Sequence, residues 1–360
     1  MTSTVHAPSR SPKGVSQDDL RAIHDRTAAD IWQALRGKQL FITGGTGFVG
    51  CWLLEALTSA DARFDLRLAL NVLTRRPETF LAEKPHLARH RSVHLVKGDM
   101  TELESLTGRF DMVIHGATDV ASASTDPISA YETIVDGTKQ VLNLASRANA
   151  QRFLYLSSGA VYGSQPPQLT AFAEDLTYAP GMADPAAAYG HAKRISEWLV
   201  HMHAKAHGLA PVIARLFALI GPYLALNAKF AASHFIRDTL AGRPIEVVGD
   251  RRVMRSYLYG ADMAVWLLAL LVKGEAFEAY NVGSEQPTTI GELATLISRW
   301  NNGQVRFARP ESPSEDLSPP ARYLPDTEKA RSRLDLEQFT PLESAVSKTI
   351  AWFRETHCQL

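Results

Sequence analysis

The stretch TGGTGFVG, residues 43–50, follows the short apolar run QLFIT (39–43) and precedes a segment whose composition predicts a helix over 50–59. Gly44, Gly47 and Gly50 recur at intervals of three. Glycines set between a buried strand and the helix it feeds permit a tight turn, close approach of backbone to a ligand, and tight helix–strand packing. The helix start then offers unpaired N–H groups and a partial positive charge, a ready site for phosphate. A glycine cluster alone is weak evidence. The strand before it and the helix after it favour a phosphate cradle over a plain turn.

Outward from this stretch the same alternation continues. LRLALNVLT (66–74), SVHLV (92–96), DMVIHGA (111–117), RFLYLSS (152–158) and PVIARLF (211–217) read as apolar strands, and helices are expected over 127–148 and 189–207. Near-continuous apolar strands separated by helices predict a parallel sheet covered on both faces, a Rossmann-type, doubly wound α/β fold. We expect the dinucleotide-binding domain over 38–217. From 218 to 360, Gly- and Pro-rich loops alternate with short strands (245–249) and helices over 262–273 and 290–300. That stretch predicts mainly a smaller, C-terminal substrate-binding lobe, with elements able to return to the sheet. Residues 1–16, rich in Ser, Pro and Thr, are expected to be disordered. A helical extension follows over 17–37, with one helix over 18–36 capped by Ser16 and striped by Leu20, Ile23, Thr27, Ile31 and Leu35.

Composition narrows the class. Of 360 residues 45% are hydrophobic, enough for a sizeable core. Lys and Arg (38) balance Asp and Glu (38), which gives no electrostatic reason to expect nucleic acid or an anionic membrane as partner. Cys51 and Cys358 lack metal-ligand spacing and point to a reducing compartment. With no apolar run of membrane-spanning length and no signal-like N-terminus, the expectation is a cytoplasmic protein. His201, His203 and His207 share an expected helix, but no carboxylate or cysteine completes a ligand set, so no metal is expected.

Chemistry concentrates at strand ends. Tyr189 and Lys193, four apart, share a helix face. A phenol of pKa about 10 is a poor acid–base at neutral pH. A nearby ammonium is expected to lower it. Ser157 and Ser158 end the fifth strand, at the edge where ligands bind in such sheets. The second strand ends in Thr74, Arg75 and Arg76. A carboxylate there would bond the adenosine ribose of NAD, whereas guanidiniums accommodate the extra phosphate of NADP. NADP(H) is therefore favoured, with NAD(H) the alternative.

TGGTGFVG, HGAT (115–118), SSGAVYG (157–163), YGHAK (189–193), GPY (221–223), RSYLYGAD (255–262) and YNVGS (280–284) occur in this order. Over residues 38–355 the chain resembles the extended short-chain dehydrogenase/reductases of the NAD-dependent epimerase/dehydratase type, which mostly act on nucleotide-linked sugars. The resemblance implies a dinucleotide site made by Gly44, Thr46, Gly47, Phe48 and Val49, by Thr74, Arg75 and Arg76, by Asp99 and Met100, and by Gly116, Ala117 and Thr118. It implies a catalytic Ser158, four residues before the tyrosine of V-Y-G, polarising a carbonyl, with Tyr189 as acid–base. Lys193 would also hold the nicotinamide ribose. Ser157 and Gly159 would line the sugar, and Arg255 and Arg322 the nucleotide diphosphate, which suits a guanidinium fork. One departure is Ala218, where many members have asparagine in R-x-F-N; the usual phosphate contact is missing. Helices over 127–149 and 189–208 commonly form a dimer interface in the family, so a homodimer is expected.

The resemblance also bears on the reaction. Nucleotide-sugar 4,6-dehydratases carry an Asp–Glu pair after their catalytic threonine, and related decarboxylases a glutamate; here stand Gly159 and Ala160. Reduction of a 4-keto sugar and 4-epimerisation need no such carboxylate. The expectation is reduction of a dTDP-4-keto-6-deoxyglucose-type sugar by dissociable NADPH, since the pattern is similar to enzymes making deoxysugars for polysaccharides. The alternative is an NAD-dependent nucleotide-sugar 4-epimerase. More distant readings are a reductase of non-sugar carbonyls and a non-catalytic dinucleotide-binding sensor or scaffold.

Overall fold

The computed structural model describes residues 14–118, 126–228, 230–308 and 319–356. Helices α1 (Gln17–Arg26) and α2 (Ala29–Leu35) precede β1 (Gln39–Thr43). Then come α3 (Phe48–Phe64), β2 (Ala69–Thr74), α4 (Pro77–Glu83), α5 (Pro85–Ala88), β3 (Val93–Lys97), β4 (Met112–His115), α6 (Pro127–Arg147), β5 (Arg152–Ser158), α7 (Ala188–His207) and β6 (Ala210–Leu216). The remainder holds β7 (Leu219–Ile220), α8 (Ala231–Leu240), β8 (Ile245–Val247), β9 (Met254–Arg255), β10 (Leu258–Tyr259), α9 (Gly260–Lys273) and β11 (Glu278–Val282). It closes with β12 (Thr288–Thr289), α10 (Ile290–Ser298), β13 (Val305–Phe307), β14 (Arg322–Tyr323), α11 (Glu328–Leu334) and α12 (Leu342–Thr356).

Strands β1, β4 and β5 are buried along nearly their whole length, as strands covered on both faces must be. They sit within a parallel seven-stranded sheet of order β11-β6-β5-β4-β1-β2-β3. The chain runs outward from β1 through β2 to β3, then crosses to β4 and runs the other way. This reversal opens a crevice beyond the ends of β1 and β4, where Thr43 and His115 are level.

One face of the sheet is covered by α6 and α7, through Val141, Leu144 and Val200 against Phe41, Val113 and Tyr155. The other carries α3 and α9, with α1 and α2 packed outside them. Helix α9 is therefore surrounded and hydrophobic on every side. The second half of the chain is thus not only a lobe: β11 joins the sheet beside β6, and α9 belongs to its core. Small sheets β8–β13 and β12–β9–β14 form the remaining lobe over the carboxyl edge.

Two expectations differ from the structure. The single helix over 18–36 is two, because Thr27 (φ −86°, ψ 121°) is extended. A straight helix of that length would carry Ile31 and Leu35 off the surface; the bend buries them with Leu20 and Ile23 against α9. The second strand begins at residue 69 rather than 66, since Asp65 and Arg67 take positive φ (48° and 58°) in the turn leaving α3. Of the segment expected to be disordered, residues 1–13 lie outside the described residues. Val15 is buried, its N–H donating to Glu55 Oε1 (3.1 Å), and Ser16 caps α1 by accepting from the Asp19 N–H. Among the described residues no helix is long and apolar enough to cross a membrane.

Candidate active site

The glycine turn is shaped by contact. Gly44 has φ +73°, and a Cβ there would lie 2.6 Å from the Gly116 carbonyl carbon, so the loops after β1 and β4 touch backbone to backbone. A Cβ on Gly47 would meet only the Gly44 carbonyl, at 3.5 Å, and would otherwise project into open space. Helix α3 starts at Phe48 with no side-chain cap. A bare helix start behind a cleared turn fits a dinucleotide diphosphate.

Thr43 and His115 lock the two loops together. Thr138 Oγ1 donates to the Ile134 carbonyl (2.7 Å), so it accepts from His115 Nε2–H (3.1 Å). His115 Nδ1 then accepts from Thr43 Oγ1 (2.7 Å), whose lone pairs receive the N–H groups of Gly116 (3.2 Å) and Ala117 (3.1 Å). Burial and the Lys193 charge hold His115 neutral, with a pKa lowered to about 3.

A cavity of about 1160 Å³ runs along the carboxyl edge. At one end its wall is Thr74, Arg75, Arg76, Asp99 and Met100, with an Arg75–Asp99 separation of 3.9 Å. Next come Gly44, Thr46, Gly47, Phe48 and Val49, facing Gly116, Ala117 and Thr118. Beyond them stand Ser158, Tyr189 and Lys193, and then Arg255, Tyr257 and Tyr323 from the second half of the chain.

Three expected substrate contacts are placed differently. Ser157 borders the cavity, but its hydroxyl donates to Glu197 (2.6 Å) beneath the sheet edge. Gly159 does not line the cavity: a Cβ on it would lie 2.5 Å from the Tyr323 hydroxyl and 2.6 Å from Phe217 Cζ. Arg322 is also outside, because neighbours on a strand point to opposite faces and Tyr323 takes the cavity side.

Ser158 Oγ accepts the Ala160 N–H (3.1 Å), capping the tight 3-10 turn Gly159–Tyr162. Tyr189 lines the same cavity, and the Tyr323 hydroxyl lies 2.5 Å from where a Cβ on Gly159 would stand. Lys193 is buried, donating to the Leu156 carbonyl (2.8 Å), with Nζ 5.9 Å from the Tyr189 ring centre. The expected lowering of the Tyr189 phenol is overturned. Burial raises it to about 12 against the pull of Ser158, and burial lowers Lys193 to about 7 against the opposing charge of Glu197. At this depth desolvation outweighs the ammonium.

Glu197, Arg215 and Tyr323 were not found from sequence. Arg215 pairs with Glu197 (2.7 Å) and donates to the Tyr162 hydroxyl (2.8 Å), which donates to Asn281 (2.9 Å), bracing β5, β6 and β11. Glu197 had a signal, its spacing of four from Lys193. Tyr323 had none, being remote along the chain.

Elsewhere, the Cys51 thiol is buried and raised to about 12, leaving it inert, and Cys358 lies outside the described residues. His201 bonds the carbonyls of Glu197 and Phe277, and His203 bonds Ser146. Among the described residues no three His, Cys, Asp or Glu side chains gather as a metal site.

A parallel sheet with a phosphate-shaped turn at its reversal point, and serine, tyrosine and lysine at the next strand end, defines a Rossmann fold of the NAD-binding, oxidoreductase type. The model of the NAD dependent epimerase/dehydratase family matches residues 40–283, and the chain belongs to that family. It is 30% identical over 322 residues to UDP-glucuronic acid decarboxylase 1 of Xenopus tropicalis, covering 88% of this chain and 72% of that one. The UDP-glucose 4-epimerase of Thermotoga maritima, solved with UDP-glucose, shares the fold at TM-score 0.73 and 22% identity, over 88% of this chain and 99% of that one. So does a dTDP-glucose 4,6-dehydratase from Streptomyces venezuelae solved with NAD bound, at TM-score 0.73 and 24% identity, over 89% and 98%.

Proposed function

We propose that this protein is an NAD(P)-dependent oxidoreductase of nucleotide-linked sugars that reduces a 4-keto-6-deoxyhexose. The relatives named above act on or bind nucleotide sugars, which supports the substrate class. One observation carries the reaction: at the two positions after Ser158, where the resemblance puts carboxylates in enzymes that dehydrate or decarboxylate, stand Gly159, whose missing Cβ would meet the Tyr323 hydroxyl and Phe217, and Ala160, which lines the cavity with a methyl group only. Of the carboxylates among the described lining residues, Asp99 follows β3, four strand spacings or about 19 Å from β5. Glu246 and Asp250 belong to β8 and the loop after it.

Hydroxyls and one lysine suffice for carbonyl reduction. Ser158 donates to the ketone oxygen and polarises it. A bound nicotinamide dinucleotide supplies the hydride. Tyr189 delivers the proton to the same oxygen, and Lys193 orients the ribose and supports the phenol's charge change. Arg255 faces the diphosphate; burial lowers its pKa but leaves it a cation. Thr74, Arg75 and Arg76 favour NADP(H).

The test is absorbance at 340 nm with freshly made dTDP-4-keto-6-deoxyglucose. Stoichiometric loss, faster with NADPH than NADH, is expected, and Tyr189→Phe should lower kcat at least about a hundredfold. Interconversion of UDP-hexoses by protein carrying tightly held NAD would turn the reading to a 4-epimerase. Carbon dioxide release from UDP-glucuronate would overturn both.

We also infer a homodimer through α6 and α7. Their outer faces form a shallow apolar groove with Ile128, Tyr131, Met182, Ile195 and Trp198, Ile128 being 72% and Trp198 55% exposed. Trp198→Asp should give monomers in sedimentation velocity where the parent chain gives dimers.

A further inference from the structure

The GPY stretch (221–223) leaves β7, which pairs with β10 so that Leu219 and Ile220 stand level with Leu258 and Tyr259. The loop that follows supplies Leu224, Ala225 and Ala228 to a cavity wall that also holds Arg255 and Tyr257. Tyr223, at the start of this loop, has φ +72°. Bulky residues enter that left-handed region only where their surroundings force them to. Its side chain does not line the cavity. The hydroxyl donates to Glu55 Oε1 on α3, and His86 Nε2 on α5 lies 3.2 Å from that hydroxyl and 3.0 Å from Glu55 Oε1. A carboxylate oxygen only accepts, so His86 carries its proton on Nε2. Glu55 is buried and accepts the Val15 N–H as well. The Tyr223 ring meets Trp352 of α12 edge to face (centres 4.9 Å apart, 64°), and the Pro222 carbonyl accepts from buried Trp52 Nε1 (3.0 Å).

Helices α3, α5 and α12 and the segment before α1 thus converge on one tyrosine, which fixes a backbone shape that the loop would not choose alone. We propose that Tyr223 is a positioning residue: gripped by Glu55 and His86, its hydroxyl holds residues 221–228 in the shape that walls the substrate end of the cavity. Burial, and then the Glu55 charge, raises the Tyr223 pKa and keeps the phenol a donor. That this end takes the nucleotide sugar rests on the function proposed above; the hold on the loop does not.

Tyr223→Phe tests it, since the ring and its packing on Trp352 remain. Glu55 keeps Val15 and His86 as donors, so the fold should persist. In the sugar assay KM should rise at least about tenfold while kcat changes less than about threefold, the split expected when binding shared by ground and transition states is lost. A second readout needs no sugar. The Leu224 and Ala228 N–H groups bond within the loop, to the carbonyls of Gly221 (3.2 Å) and Ala225 (3.1 Å). In Tyr223→Phe their hydrogen exchange should quicken at least about tenfold while that of α6 and α7 stays as in the parent. Unchanged exchange at the loop, or exchange quickened evenly over the whole protein, overturns the proposal whatever the turnover. So does an unchanged KM where the parent is active. If the parent protein reduces no 4-keto sugar, the function reading fails and the exchange pattern alone decides this one.

Discussion

Lys193 is only 1% exposed, and burial lowers its amine to a pKa of about 7, well below its ordinary value. Unfolding restores that ordinary value, so between the two the unfolded chain binds more protons and stability rises with pH. The handicap of burying this lysine is full at and below pH 7 and fades toward the unfolded pKa. Lys193→Met keeps the volume and removes the titration. It should abolish turnover yet raise Tm by several degrees at pH 6.5, with the gain shrinking by pH 9.5, as measured by calorimetry. A variant less stable at pH 6.5 would contradict this account of the site. Position and partner spacing made Tyr189, Lys193 and Ser158 legible in the sequence. The direction of the Tyr189 shift was not, because it depends on how much protein covers the ring, and that cover comes from segments remote along the chain.

At the scale of elements, the proposed preference for NADP(H) rests on the turn from β2 into α4. Thr74 Oγ1 accepts the Arg76 N–H (3.3 Å), and the Arg75 side chain is 69% exposed beside Asp99. Replacing Arg75 and Arg76 together by alanine should weaken NADPH at least about tenfold more than NADH in fluorescence titrations, the scale of losing charge-assisted phosphate bonds. Equal losses would sink the assignment. The alternation of strands and helices was readable because the central strands are buried on both faces, and the glycine turn because Gly44 and Gly50 sit where backbone meets backbone. The break in the N-terminal helix was not, because the apolar stripe through Leu20, Ile23, Ile31 and Leu35 continues across it. Only the curvature of the surface beneath, set by α3 and α9, demands the bend.

Across the whole molecule, the N-terminal pair of helices is held by more than apolar packing. Asp19, 1% exposed, accepts from the Tyr259 hydroxyl (2.9 Å) and from Lys348 on α12, tying both ends of the described chain to the start of α9. Asp19→Ala leaves a buried phenol and an ammonium without their acceptor, at a cost of about 3 kcal/mol. A Tm drop of less than one degree would show that the latch is dispensable.

Gly159 and Tyr323 contribute to one small volume from opposite halves of the chain. That shared volume constrains how such a protein diversifies. A mutation placing a carboxylate at 159 collides with a phenol already there, and a mutation shrinking Tyr323 leaves a gap with no new chemistry. Positions 159 and 323 are therefore coupled: a side chain at the first has room only when the second gives way.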